Sequence, residues 1–236
     1  MSEIYLRQIP ITGEDGQRRL ERSTVAVIGL GGLGCNVITH LASAGVGNFI
    51  IADNQSPDLG NLNRQFVYSA DDTGKRKTER SAEWIRRINP RSNVTELDME
   101  VNDSNMYKTS NCDIIIDCLD NRRSRMIVNR YALQNNIDLV HGGVESLYGQ
   151  VTVVIPNKTP CLECILPDPI VNEIPSISPM VGIIGSIQAL EAVKILSGKH
   201  SSLSGKLLSI DASLNSYNVF DIKKKDGCGS CAAKPL

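Results

Sequence analysis

Thr24-Val-Ala-Val-Ile-Gly-Leu-Gly-Gly-Leu-Gly34 is the stretch on which the fold turns. Its first five residues are mainly β-branched and show no polar–apolar alternation, as expected of a strand buried on both faces in a parallel sheet. Glycines at 29, 31, 32 and 34 end the run, and residues 36–44 then take helical spacing through Val37, Ile38, Leu41 and Ala42 before stopping at Gly45 and Gly47, where helices commonly end. Residues 49–52 are a second buried strand, closed by Asp53. Strand, glycine turn, helix, strand is the opening of a nucleotide-binding βαβ unit.

Outward from this unit the same alternation continues. Residues 78–88 carry Ala82, Trp84, Ile85 and Ile88 among charges and predict a helix stopped by Asn89-Pro90, since the residue before proline resists helical geometry. Residues 94–101 and 113–117 read as strands, 122–135 as a helix, and 139–140 as the start of another strand. Such alternation implies a mainly parallel, Rossmann-like α/β sheet with helices on both faces. The character changes after Gly149: residues 150–155 alternate, as an antiparallel, half-buried strand would. Residues 156–180 hold six of the ten prolines and are expected to form an irregular crossover. A helix over 182–196 and antiparallel late strands over 206–210 and 217–222 complete the chain. With no internal repeat, one domain over 1–236 is expected: an N-terminal arm (1–22), a nucleotide-binding part (23–148), and a crossover, late strands and tail (149–236).

Composition narrows the partners. The formal net charge is −1, with 41% hydrophobic and 22% charged residues, so no electrostatic case exists for nucleic acid or an anionic membrane. No apolar run approaches the roughly 18–20 residues that span a bilayer, and the first residues lack a signal peptide's apolar middle; a cytoplasmic location is expected. Seven cysteines, an odd number, argue against a disulfide framework.

Four motifs carry chemistry. Gly29-x-Gly31-Gly32-x-Gly34 with Asp53 nineteen residues further on lets backbone approach a phosphate at a helix N-terminus and places a carboxylate for ribose hydroxyls. Alone it suits NAD, FAD or ATP, with NAD ahead. Asn61-Leu-Asn-Arg64-Gln65 and Gly74-x-x-Lys77 shift that ranking, because two cations and two amides beside the pocket suit a triphosphate whose charge must be neutralised during attack. Read by charge alone, the same residues, with Lys75, Arg76 and Arg80 as neighbours, are equally a solvated basic face. Asp117-Cys-Leu-Asp120-Asn121 ends a buried strand, at the edge where open α/β sheets bind ligands; Asp120 is the candidate Mg²⁺ ligand, Asn121 a helix cap and Asp117 structural. Cys161-x-x-Cys164 and Cys228-x-x-Cys231 offer four thiolates of the kind structural zinc prefers, or else two unrelated redox or surface pairs.

Taken in order, Gly-x-Gly-Gly-Leu-Gly, Leu-Ala-Ser-Ala-Gly-Val-Gly, the ribose Asp, Asn-Leu-x-Arg-Gln, Gly-x-x-Lys, Asp-Cys-x-Asp-Asn and the two Cys-x-x-Cys pairs resemble the ThiF/MoeB/HesA branch of the ubiquitin-activating-enzyme family. The likeness runs from Arg7 to Cys231. It implies that Gly29, Gly31, Gly32, Gly34 and Asp53 hold ATP, that Asn61, Arg64, Gln65, Lys77 and Asn121 line its site, and that Asp120 binds Mg²⁺. Tyr5-Leu-Arg7-Gln8-Ile9 matches the family's N-terminal element, whose arginine reaches the partner's active site; this implies a homodimer. Three positions depart from the family pattern. Gln55 stands where a second acidic residue is usual and Gly60 where a serine is. No cysteine lies between Cys164 and Cys228, where relatives with a covalent intermediate carry their thiol; residues 165–180 offer only Asp168, Asn172, Glu173 and two serines, none of them thiolate-like.

The expected reaction is attack of a substrate carboxylate on ATP·Mg²⁺ to give an acyl-AMP and pyrophosphate, with Arg7, Arg64, Lys77 and Asp120 as the catalytic set and no covalent cysteine step. The expected substrate is the C-terminal glycine of a ubiquitin-like sulfur carrier, with the adenylate passed to a downstream acyl-acceptor protein. The alternative is a small carboxylate such as guanylylpyridinol, as in the HcgE branch that serves iron-guanylylpyridinol cofactor synthesis. Readings from other classes are an NAD-dependent oxidoreductase, for which His40, His141 and His200 give weak support, and an inactive nucleotide-binding scaffold.

Overall fold

The computed structural model describes residues 3–166 and 175–232. A short 3₁₀ turn at Glu3–Tyr5 leads into α1 (Ile9–Thr12) and α2 (Glu14–Arg22). The quoted stretch then forms β1 (Thr24–Ile28) and the start of α3 (Gly32–Ala44), followed by β2 (Asn48–Asp53). α4 (Lys77–Ile88), β3 (Asn93–Asp98), β4 (Ile114–Asp117), α5 (Arg122–Gln134) and β5 (Asp138–Glu145) continue the alternation. β6 (Tyr148–Val154), α6 (Leu162–Ile165), α7 (Ser178–Leu196), β7 (Lys206–Asp211) and β8 (Ser216–Asp221) make up the remainder.

All eight strands join one sheet in the order β3-β2-β1-β4-β5-β6-β7-β8. Pairing is parallel from β3 to β5 and antiparallel from β5 to β8. The sheet is therefore Rossmann-like, with the expected antiparallel C-terminal strands. Val25 and Val27 of β1 face one core with α3, α4 and α7, while Ala26 and Ile28 face a second with α5 and α6. All four are 0% exposed, which is why this strand shows no alternation in its sequence: both faces are inside.

Some boundaries moved. α3 begins at Gly32 rather than at residue 36, so the last two motif glycines are already helical. α7 begins at Ser178, before the expected 182, with Pro179 in the first turn, where a missing N–H costs nothing. By length and composition α7 does pass as a membrane span, with 19 residues and a mean hydropathy of 1.4, contrary to the expectation that no run comes close. Its position explains the composition: it packs on α3, β5 and β6 as a core helix. It also buries polar groups that bond inward, Gln188 to the Asp117 carbonyl at 2.8 Å and Glu191 to Ser201 at 2.6 Å.

The N-terminal arm is fastened at the end of the sheet opposite the glycine turn. Tyr5 is buried, with Arg91 stacked 5.7 Å from its ring centre, and Gln8 donates to Gln17 at 2.7 Å and to the Ala44 carbonyl at 2.8 Å.

Candidate active site

At the carboxyl ends of the parallel strands lies a cleft of about 950 Å³, at the point where strand order reverses between β2 and β4 on either side of β1. Gly29 has φ +92° and a Cβ there would meet the Cys118 carbonyl at 2.8 Å, so both conformation and space demand glycine. Gly34 serves a different end: a side chain would collide with the Gly29 carbonyl, and its absence seats α3 on β1. Gly29, Gly31 and Gly32 border the cleft and Gly34 does not. No side chain caps α3 at Gly31, which leaves first-turn N–H groups and the positive end of the helix dipole for an anion. Asp53 ties the loop down, Oδ2 accepting the Leu30 N–H at 2.8 Å and Oδ1 the Gln55 N–H at 2.8 Å.

Lys77, the first residue of α4, is only 2% exposed yet borders the cleft. Its ammonium donates to Gln55 Oε1 at 2.8 Å, and among the described residues no carboxylate pairs with it. A neutral amide thus holds a buried cation whose charge is left uncompensated. Such a charge is costly unless a ligand anion arrives. Arg64, half-buried on the same wall, donates to the Gly60 carbonyl at 3.0 Å and to Asn63 Oδ1 at 2.9 Å. Gln65 is buried, and among the described residues its Oε1 has no partner, an orphaned acceptor that a ligand donor can satisfy. Asp120 is exposed at the cleft mouth, and Asn121 caps α5 by accepting the Ser124 N–H at 2.8 Å. Two expected site residues stand apart from these. Asn61 sits in a 3₁₀ turn and does not border the cleft. Arg7 is exposed on the arm, away from the cleft of its own chain.

A second lobe of the cleft opens over the antiparallel strands, bordered by Glu145, Tyr148, Gln150, Ser176 and Ser209. None of these was a candidate in the sequence reading; the only signal was the strand after Gly149, which carries no motif. Beneath them His141 and Asp117 are both 0% exposed, with Nδ1 and Oδ2 2.7 Å apart. Neither His141 nor His40, which contacts Ser186 at 3.0 Å between α3 and α7, stands open over the cleft as a hydride-transfer acid or base would. Cys118 also borders the cleft, but burial first, with the charge of Asp117 adding, pushes its thiol well above the ordinary value. A thiol shifted in that direction is a poor nucleophile at neutral pH. The expected crossover residues Asp168, Asn172 and Glu173 lie outside the described residues.

Cys161, Cys164, Cys228 and Cys231 converge, with all four sulfurs within 4.8 Å of one another. Sγ of Cys161 is 3.7 Å from that of Cys228, and Sγ of Cys164 is 3.6 Å from that of Cys231. A disulfide needs about 2.05 Å, whereas tetrahedral Zn–S bonds of about 2.3 Å put sulfurs roughly 3.8 Å apart. The group fits zinc, as a closed structural set without an open position.

A sequence model described as the ThiF family matches residues 5–230. The chain is 34% identical over 236 residues to a molybdopterin-synthase adenylyltransferase of Escherichia coli, covering 96% of this chain and 95% of that protein. It is 31% identical over 239 residues to the sulfur carrier protein ThiS adenylyltransferase of Escherichia coli, covering 96% and 94%. In fold it resembles Escherichia coli MccB crystallised with ATP, at a TM-score of 0.89 and 22% identity, covering 98% of this chain and 74% of that one.

Proposed function

The chain belongs to the ThiF family and is an adenylyltransferase, and from that membership and the cleft's geometry we propose that it activates the C-terminal carboxylate of a ubiquitin-like sulfur-carrier protein as its acyl-AMP. The observation that carries this reading is Lys77: a buried ammonium held by a neutral amide, bordering the same cleft as an uncapped helix N-terminus. Neighbouring proteins with related sequences bear the names of carrier and synthase adenylyltransferases, which supports a protein carboxylate over a small one.

In the proposed reaction a carboxylate oxygen attacks the α-phosphorus of ATP, the bond to the bridging oxygen of the β-phosphate breaks, and pyrophosphate leaves with the electron pair. Gly29, Gly31 and Gly32 let the backbone close on phosphate, and Asp53 holds the ribose. Arg64, Gln65, Lys77 and Asn121 complete the nucleotide's surroundings; Asn61, which stands off the cleft, is not among them. Lys77 and Arg64 neutralise charge that grows on the phosphates. Asp120 would hold Mg²⁺, which supplies further neutralisation. No general base is needed, because the attacking acid is already ionised, and catalysis is positioning plus electrostatics. No thiol takes over the acyl group: the cleft's own Cys118 is a poor nucleophile, and the chain between Cys164 and Cys228 has no cysteine. The adenylate then passes to a separate acyl-acceptor protein. Arg7 acts in the partner's cleft of a homodimer, which accounts for its distance from its own. Zinc in the four-cysteine set ties the tail to the fold.

Carboxylate-dependent pyrophosphate–ATP exchange tests the reading. A ubiquitin-like carrier ending in Gly-Gly is expected to drive exchange and guanylylpyridinol is not. Exchange driven by the small acid alone would overturn it. Arg7→Ala mixed with Lys77→Ala is expected to recover part of the activity through hybrid dimers, as each hybrid restores one complete site; absence of recovery removes the partner role of Arg7.

A further inference from the structure

Under the second lobe, three side chains have their hydrogen-bonding directions set from the inside outwards. Asp117 ends β4 fully buried, Oδ1 accepting the Leu119 N–H at 3.0 Å and Oδ2 lying 2.7 Å from Nδ1 of the equally buried His141. Arg125 stands 3.8 Å from the same Oδ2, so the carboxylate has a cation nearby without an imidazolium. Burial lowers the pKa of His141; the Asp117 hydrogen bond opposes that, and the charge of Arg125 reinforces it. A neutral ring beside an ionised carboxylate keeps its one proton on Nδ1, because an acceptor must be met by a donor. Nε2 is then a bare acceptor.

Gln150 is the neighbour that meets Nε2. It pairs with Gly143 across the β5–β6 ladder, two residues beyond His141 and on the same face, and its Nε2 is 3.4 Å from that ring nitrogen. Only the amide's NH₂ end can donate there. That leaves the carbonyl Oε1 as the amide's free end on a residue that borders the cleft, and among the described residues no protein donor engages it. A free acceptor cannot serve the substrate's carboxylate or the phosphates, since both are acceptors themselves. It needs a donor beside the reacting acid. A polypeptide C-terminus that does not end in proline carries one, the N–H of its own last residue.

We infer that Gln150 is a specificity residue, its Oε1 accepting the backbone N–H next to the reacting carboxylate, and that Asp117 and His141 are positioning residues that hold its amide in that sense. The inference rests on the carrier-protein reading above and deepens it: the lobe recognises an acid at the end of a peptide chain. A flexible Gln without the pair beneath it would leave either end free, and its NH₂ end would favour any anion.

Two measurements test it. Nitrogen-15 NMR of the imidazole in the intact protein is expected to show His141 protonated at Nδ1 and bare at Nε2; the opposite tautomer, or an imidazolium at neutral pH, overturns the inference without any substrate. The second uses a sulfur carrier ending in Gly-Gly, semisynthesised with either an amide or an ester as its last linkage. Wild type is expected to lose about tenfold in kcat/KM on the ester, one hydrogen bond's worth. Gln150→Leu is expected to lose about tenfold on the amide and to treat both carriers alike, and His141→Phe, which keeps the ring's volume, to narrow the preference with the KM for ATP unchanged. A Gln150→Leu enzyme that still prefers the amide tenfold overturns the assignment while the carrier reading stands. A wild-type enzyme that ignores both carriers but turns over guanylylpyridinol ends the carrier reading and this inference together.

Discussion

The two halves of the sheet are built on different terms. In the parallel half, every residue of β4 and nearly all of β1 are buried with helices on both faces, and only the edge strand β3 is largely exposed. In the antiparallel half, burial falls off strand by strand until Tyr217, Val219 and Phe220 of β8 are each more than half exposed. The parallel half carries the glycine-turn end of the cleft. The antiparallel half has α7 packed against it, and the four cysteines bring together the ends of a loop that holds α7, β7 and β8. The cleft lies across both, bordered by the glycine turn on the parallel side and by Tyr148, Gln150 and Ser209 on the antiparallel side.

The sharpest way to break this comparison is Lys77→Ala. If the charge on the parallel half drives the chemistry, kcat/KM for exchange is expected to fall about a thousandfold, with the far-ultraviolet circular dichroism unchanged; a loss under tenfold would remove Lys77 from the reaction. Next is Ile116→Ala in β4, a fully buried side chain, expected to cost about 3 kcal/mol in urea unfolding. Removing the metal ligand in Cys228→Ser is expected to abolish metal content and lower stability by about 2 kcal/mol, or roughly 4–8 °C in Tm. Activity should fall far less than in Lys77→Ala, because a closed site performs no chemistry. An unchanged Tm with full metal content would mean the cluster does not support the antiparallel half. The smallest effect is expected for Val219→Ala on β8, below about 0.5 kcal/mol. A cost there equal to that of Ile116→Ala would show β8 to be buried in the working assembly.

The Rossmann-like half was legible almost residue by residue. β1 and β2 emerged from runs without alternation, α4 from its amphipathic spacing, and the cleft from a glycine pattern that local geometry demands. The four cysteines were legible as a set, although 63 residues separate the pairs, because thiolates at that spacing have few other uses. Other features were misplaced for identifiable reasons. α3 starts four residues early because glycine has no side chain to signal a helix, and α7 starts four residues early, at Ser178, because Pro179 in its first turn resembles the prolines of the crossover before it.

Chain order alone therefore determined the fold class, the glycine turn that borders the cleft and the four-cysteine set, since each of these depends on local conformation or on the chemistry of a residue type. Only the tertiary structure decided that Lys77 is buried on a neutral partner, that Arg7 and Asn61 stand off the cleft, and that Asp117, His141 and Gln150 form one column. Those facts arise where strands and helices distant in sequence are packed together, and burial and hydrogen-bond direction do not exist until that packing brings the groups within reach.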